Sequence, residues 1–69
     1  MELVVYVGEN LKRLRTLNAL TQEELAEHAG LTVSAISKIE RNETEPRMTS
    51  IRKLAGALDV RPRVLIEGE

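Results

Sequence analysis

Apolar residues at Val4, Val7, Leu11 and Leu14 step by three or four positions, the period of a helix with one buried face. The pattern predicts a first helix over about residues 7–17. The preceding "LVVYV" is β-branched and reads alternatively as a short strand that pairs with a partner chain. "NAL" breaks the run, and a second helix opens at "TQEE". There Thr21 caps and Glu24, three residues on, reaches back to form a capping box. Gly30, the residue best able to take a left-handed conformation, closes that helix. Thr32 caps a third helix that runs to about Arg41, with Asn42 tolerable at a left-handed exit. "ETEP" is loop. A fourth helix spans about residues 48–58 and turns Ile51, Leu54, Ala55 and Leu58 inward, and Pro62 suits the first turn of a short fifth helix ending near Glu67. Five short helices with tight connections make an all-α domain over residues 7–67, with residues 1–6 an N-terminal extension and 68–69 a C-terminal tail.

Composition narrows the class. Tyr6 is the only aromatic residue, so the core must be built from Leu, Ile, Val and Ala. With 42% hydrophobic and 30% charged residues the chain has neither a disordered nor a membrane composition, and no segment approaches the roughly 20 apolar residues of a spanning helix. The start, "MELVVYV", lacks a basic leader and a small-residue cleavage site, so it is not read as a signal peptide. The absence of cysteine removes disulfides and thiolate metal sites and fits a cytoplasmic location. Net charge is −1, which argues against a nucleic-acid partner only if the charge is evenly spread. It is not: residues 21–30 carry three acids, Glu23, Glu24 and Glu27, and no Lys or Arg, which leaves room for a positive face elsewhere.

The third helix has two contrasting sides. At about 100° per residue, with Ile36 at zero, Ile39 falls near 300°, Glu40 near 40° and Val33 near 60°. Ser34, Ser37, Lys38 and Arg41 occupy the opposite half, from about 100° to about 200°. A polar helix face is ordinarily just solvated. This one is small and hydrogen-bonding rather than rich in glutamate, and it follows a short Gly turn after a capped helix, the arrangement of a helix-turn-helix. Glu40 on the buried half needs a partner, because an unpaired carboxylate at a core edge costs several kcal/mol. Arg15 stands about 40° from Leu11 on the first helix, the same offset as Glu40 from Ile36. Packing the two helices through those apolar residues brings Arg15 and Glu40 together, and a bidentate bond is expected.

"TQEELAEHAGLTVSAISKIERNETEP" resembles the helix-turn-helix of the Cro and phage-repressor-like (XRE-type) DNA-binding domains. "LKRLR" before it, "ISKIE" in the third helix and "LAGALDV" in the fourth also fall where that family has them, so the likeness runs over residues 8–66. It implies a compact five-helix domain whose second and third helices form the helix-turn-helix, and it places an Arg–Glu pair at Arg15 and Glu40. The third helix would lie in the major groove. By position the likeness assigns base contacts to Thr32, Val33, Ser34 and Lys38. Lys38 can donate to guanine, Ser34 to several bases, and the methyl groups of Thr32 and Val33 can meet a thymine methyl. Packing is the alternative role for Val33. The implied phosphate contacts are Gln22, Ser37, Arg41, Asn42 and Arg47, of which Arg47 reads equally as a solvated loop cation. Two positions depart from the family. Ala19 and Asn42 stand where Gly is common, and Asn18 rather than Ala19 is expected to take the left-handed turn after the first helix.

The function expected is sequence-specific binding of duplex DNA as a transcriptional repressor or autoregulator. One module of this size makes few contacts, so a homodimer on a pseudo-palindrome is expected, with half-sites about 10 base pairs apart. Val60, Val64 and Ile66 are the candidate dimer surface, helped by Leu3 to Tyr6, although the same residues can simply close the core. No cofactor, small-molecule ligand or membrane partner is expected. An enzyme is not: His28 is the sole histidine and falls at a solvent edge, and the glutamates of the second helix are spaced for a solvated face. The competing reading is a protein-interaction module, such as an antitoxin or adaptor.

Overall fold

The computed structural model describes residues 7–68, and each helical period becomes a helix there: α1 (Val7–Leu17), α2 (Gln22–Ala29), α3 (Val33–Glu40), α4 (Met48–Leu58) and α5 (Pro62–Glu67). There is no strand among the described residues. The strand reading of "LVVYV", and the part given to Leu3 to Tyr6 in dimerisation, fall mostly or wholly outside them; Val7 itself is helical and buried.

Each helix contributes one fully buried aliphatic side chain to a single cluster: Leu11, Leu25, Ile36, Leu54 and Leu65. Burying such a side chain is worth about 1.5–3 kcal/mol, and Val7, Ile39, Ile51 and Leu58, almost as deeply buried, add to the same cluster. The main helix contacts close a ring. α1 packs on α3 and α5, α2 on α3 and α4, and α4 on α5. The short α5 thereby joins the first helix to the fourth. Asn10, buried on α1, secures that junction by donating from Nδ2 to the Leu65 carbonyl at 2.6 Å. At the other end of the ring α1 and α3 approach closely at Gly8. A Cβ there would run into the Ile39 carbonyl oxygen and the Asn42 side chain.

The helix ends follow the chain's capping chemistry. Thr21 and Glu24 form the reciprocal capping box, at 2.9 and 3.0 Å, and Thr32 Oγ1 accepts from the Ala35 N–H at 3.0 Å. α3 stops at Glu40, one residue before the expected end, with Arg41 as its cap.

Four helices terminate through the same left-handed reversal, at Ala19 (φ 57°), Gly30 (φ 73°), Asn42 (φ 60°) and Asp59 (φ 57°). In each, the next residue's N–H bonds to a carbonyl five positions back: Leu20 to Arg15, Leu31 to Ala26, Glu43 to Lys38 and Val60 to Ala55. The expectation that Asn18 would take the first reversal is incorrect. Its backbone N–H and its side-chain Nδ2 both bond to the Leu14 carbonyl, at 3.1 and 2.7 Å, which keeps Asn18 in the helical turn. The reversal passes to Ala19, where a Cβ in the left-handed region costs about 1–2 kcal/mol.

Candidate nucleic-acid interface

α2 and α3 are joined by a three-residue connection. Gly30 reverses the chain, Leu31 packs against the core, and Thr32 caps α3. Ile36 and Ile39 anchor α3 on its inner side, at 0% and 3% exposure. Thr32, Val33, Ser34 and Lys38 are all exposed. Val33, for which packing was the alternative, is 40% exposed and outside the core. The four residues expected to read bases are therefore all open to solvent at the start and middle of α3.

The inner edge of α3 carries the clasp expected from the Arg15 and Glu40 offsets. Arg15 Nε donates to Glu40 Oε2 at 2.6 Å and Nη2 to Oε1 at 3.1 Å, a bidentate fork, with the two side chains only 14% and 4% exposed. The remaining guanidinium nitrogen, Nη1, donates to the Leu20 carbonyl at 2.8 Å. Gln22 Nε2 completes the set by donating to Glu40 Oε1 at 2.9 Å. The Glu40 carboxylate thus ties α1, the start of α2 and the end of α3, and Arg15 adds the turn after α1. The hydrogen bond to Glu40 pushes the Arg15 guanidinium above its ordinary value, with the partner's charge adding to it against the opposing effect of burial.

The residues expected to meet the sugar–phosphate backbone are more varied. Ser37 is half-buried on α3 and Arg47 is exposed immediately before α4, with no side-chain cap bond. Asn42 is exposed, and its side chain lies over Gly8 of α1. Gln22 is half-buried, and its amide is engaged by Glu40. Arg41 is not a free cation: Nε and Nη2 donate to Glu43 Oε2 and Oε1 at 2.9 and 3.0 Å. The Arg41 hydrogen bonds hold the Glu43 carboxyl below the usual carboxylate range, with the charges of Arg41 and Lys38 adding to the effect. Lys38 enters no ion pair among the described residues.

Sequence reasoning missed Glu43, Gln22 as a ligand of Glu40, and the Leu20 carbonyl. The i,i+3 and i,i+4 rules that reveal helical pairs do not reach an i,i+2 pair made across a left-handed residue. The capping box did mark where α2 begins, which was the available signal for Gln22.

Residues 11–65 match the helix-turn-helix family. The immunity repressor protein of Bacillus phage phi105 is 35% identical over 63 residues, covering 91% of this chain and 44% of that protein. The chain thus spans less than half the length of that relative. The crystal structure of the restriction-modification controller protein C.AhdI from Aeromonas hydrophila superposes with a TM-score of 0.86 at 42% identity, covering 90% of this chain and 94% of that one. The P22 c2 repressor protein, solved in complex with a synthetic operator, also gives a TM-score of 0.86, at 32% identity over 96% of this chain and 100% of that one. With its capped α2, its Gly30 turn and its exposed α3 flank, the chain belongs to the Cro and phage-repressor-like helix-turn-helix family.

Proposed function

We propose that this chain binds duplex DNA sequence-specifically through the exposed flank of α3, as the DNA-reading part of a transcriptional repressor or autoregulator. The observation that carries the reading is the division of α3 itself. Ile36, Ile39 and Glu40 hold one side to the domain, Ser34 and Lys38 stand free on the opposite side, and Thr32 and Val33 are exposed at the start of the helix. The P22 c2 repressor, matched over the whole of its solved chain, was crystallised in complex with a synthetic operator, which supports DNA binding for this chain. Gln22, Ser37, Arg41, Asn42 and Arg47 are the candidate phosphate contacts, a role the Arg41 and Gln22 side chains take up by exchanging their present partners.

A homodimer on a pseudo-palindrome is part of the reading, because a single module buries too little surface for tight specific binding. Val60, Val64 and Ile66 are half-buried against the core and retain exposed surface for a second copy. The protein-interaction reading draws on one observation, the exposed acids Glu23, Glu24 and Glu27 on the outer face of α2. Selection of bound sites from a random duplex pool separates the two. DNA binding yields an enriched sequence, an affinity that falls steeply with salt, and a Lys38→Ala variant that loses about 1–3 kcal/mol at one base position. A pool that enriches nothing, with no salt-dependent binding, refutes the reading.

A further inference from the structure

Arg41 and Glu43 meet in a geometry that the backbone imposes. Residues two apart on a continuous helix do not face each other. Here Asn42, at φ 60°, turns the chain back between them. The Arg41 N–H is bonded to the Ser37 carbonyl at 3.1 Å and the Glu43 N–H to the Lys38 carbonyl at 2.9 Å, so both backbones are pinned to the end of α3. The side chains then form a two-bond fork, Nε to Oε2 and Nη2 to Oε1. Both remain open to solvent, at 58% and 51% exposure, so the pair contributes little to holding the fold. Its effect is on the surface that α3 offers. A planar guanidinium fork takes a carboxylate and a phosphate in the same bidentate way, and the acid that fills it stands beside the cations of that surface, Lys38 and Arg41.

We propose that Glu43 is an internal competitor for DNA: in the free protein its carboxylate fills the Arg41 fork that a backbone phosphate takes in the complex. Glu43 therefore sets affinity rather than base preference. Each duplex must displace the same carboxylate, so the opposing effect is alike for every sequence. This inference rests on the DNA-binding reading above, and its test distinguishes the failure of one from the failure of the other.

The test compares wild type, Glu43→Gln, Arg41→Ala and the double variant, as full chains, on a selected site and on random-sequence duplex. Salt is held near 0.15 M, where long-range repulsion is screened beyond about 8 Å. An exposed pair of this kind corresponds to a gain of about two- to fivefold in affinity when the carboxylate is neutralised. Glu43→Gln is expected to tighten both duplexes by that factor with unchanged thermal stability. In the Arg41→Ala background the same substitution is expected to change affinity by less than about 1.5-fold. Equal tightening in both backgrounds would mean simple charge repulsion, and it overturns the competitor role. No tightening in a chain that binds DNA and is weakened by Lys38→Ala also overturns it, while leaving the proposed function standing. A wild type that binds neither duplex removes both.

Discussion

Replacing Arg15 by methionine removes the centre of the clasp while retaining an unbranched side chain of similar reach. Three hydrogen bonds vanish: those to Glu40 at 2.6 and 3.1 Å, and that to the Leu20 carbonyl at 2.8 Å. Glu40, 4% exposed, is left with Gln22 as its side-chain donor. An ionised carboxylate abandoned in this way costs about 3–5 kcal/mol. A 69-residue domain has about 3–10 kcal/mol in total, so Arg15→Met is expected to remove about a third of the stability or more. The thermal midpoint should fall by more than about 12 °C. Replacing Glu40 by methionine as well removes the stranded charge. Because desolvation of both ions opposes their attraction, the double variant is expected within about 1 kcal/mol of wild type. Urea unfolding followed by far-ultraviolet circular dichroism at neutral pH measures both. The hydrogen bond to Glu40 raises the Arg15 guanidinium, so its contribution is complete below the ordinary arginine value and is lost only as pH rises above it. Neutral pH therefore tests the full clasp. A single variant within about 1 kcal/mol of wild type would refute the burial argument. A double variant as unstable as the single would show that the ionic pair, rather than the stranded carboxylate, supplies the energy.

Other substitutions probe the backbone and the surface. Ala19→Gly relieves a left-handed Cβ and is expected to raise stability by about 1 kcal/mol in the same unfolding assay, the sign opposite to an ordinary Ala-to-Gly change. Two glycines should respond in opposite directions to alanine. Gly8→Ala is expected to destabilise by about 1–3 kcal/mol, because its methyl meets the Ile39 carbonyl and Asn42. Gly56→Ala, with open space around it inside α4, is expected to stabilise by about 0.5–1 kcal/mol. The Glu43 carboxyl should titrate by carbon-detected NMR below an ordinary exposed glutamate and return to the usual range in Arg41→Ala. Since its native value is depressed, the pair's contribution is present above the unfolded value and lost as pH falls through the folded one.

Local chemistry specified much of this molecule. The Thr21–Glu24 box, Gly30, Thr32 and Pro62 marked where helices begin or end, and the three- and four-residue apolar steps assigned Leu11, Ile36 and Leu54 to the interior, because capping and helical periodicity act within a few residues. The offset shared by Arg15 and Glu40 even anticipated a contact spanning 25 positions, since the charge on the buried half of α3 required a counterion. What local pattern leaves open is the choice among alternatives of similar local energy. Asn18 is the better left-handed residue in isolation, yet the Leu14 carbonyl holds it helical and moves the reversal to Ala19. Gly8 looks like a weak point of α1 until α3 is packed against it, and Arg41 looks like a free cation until Asn42 folds Glu43 back upon it. The Gly8 outcome was decided by the close approach of α1 and α3, which only the assembled domain brings about, whereas those at Asn18 and Arg41 were decided within a helix end, by backbone geometry that residue type alone does not fix.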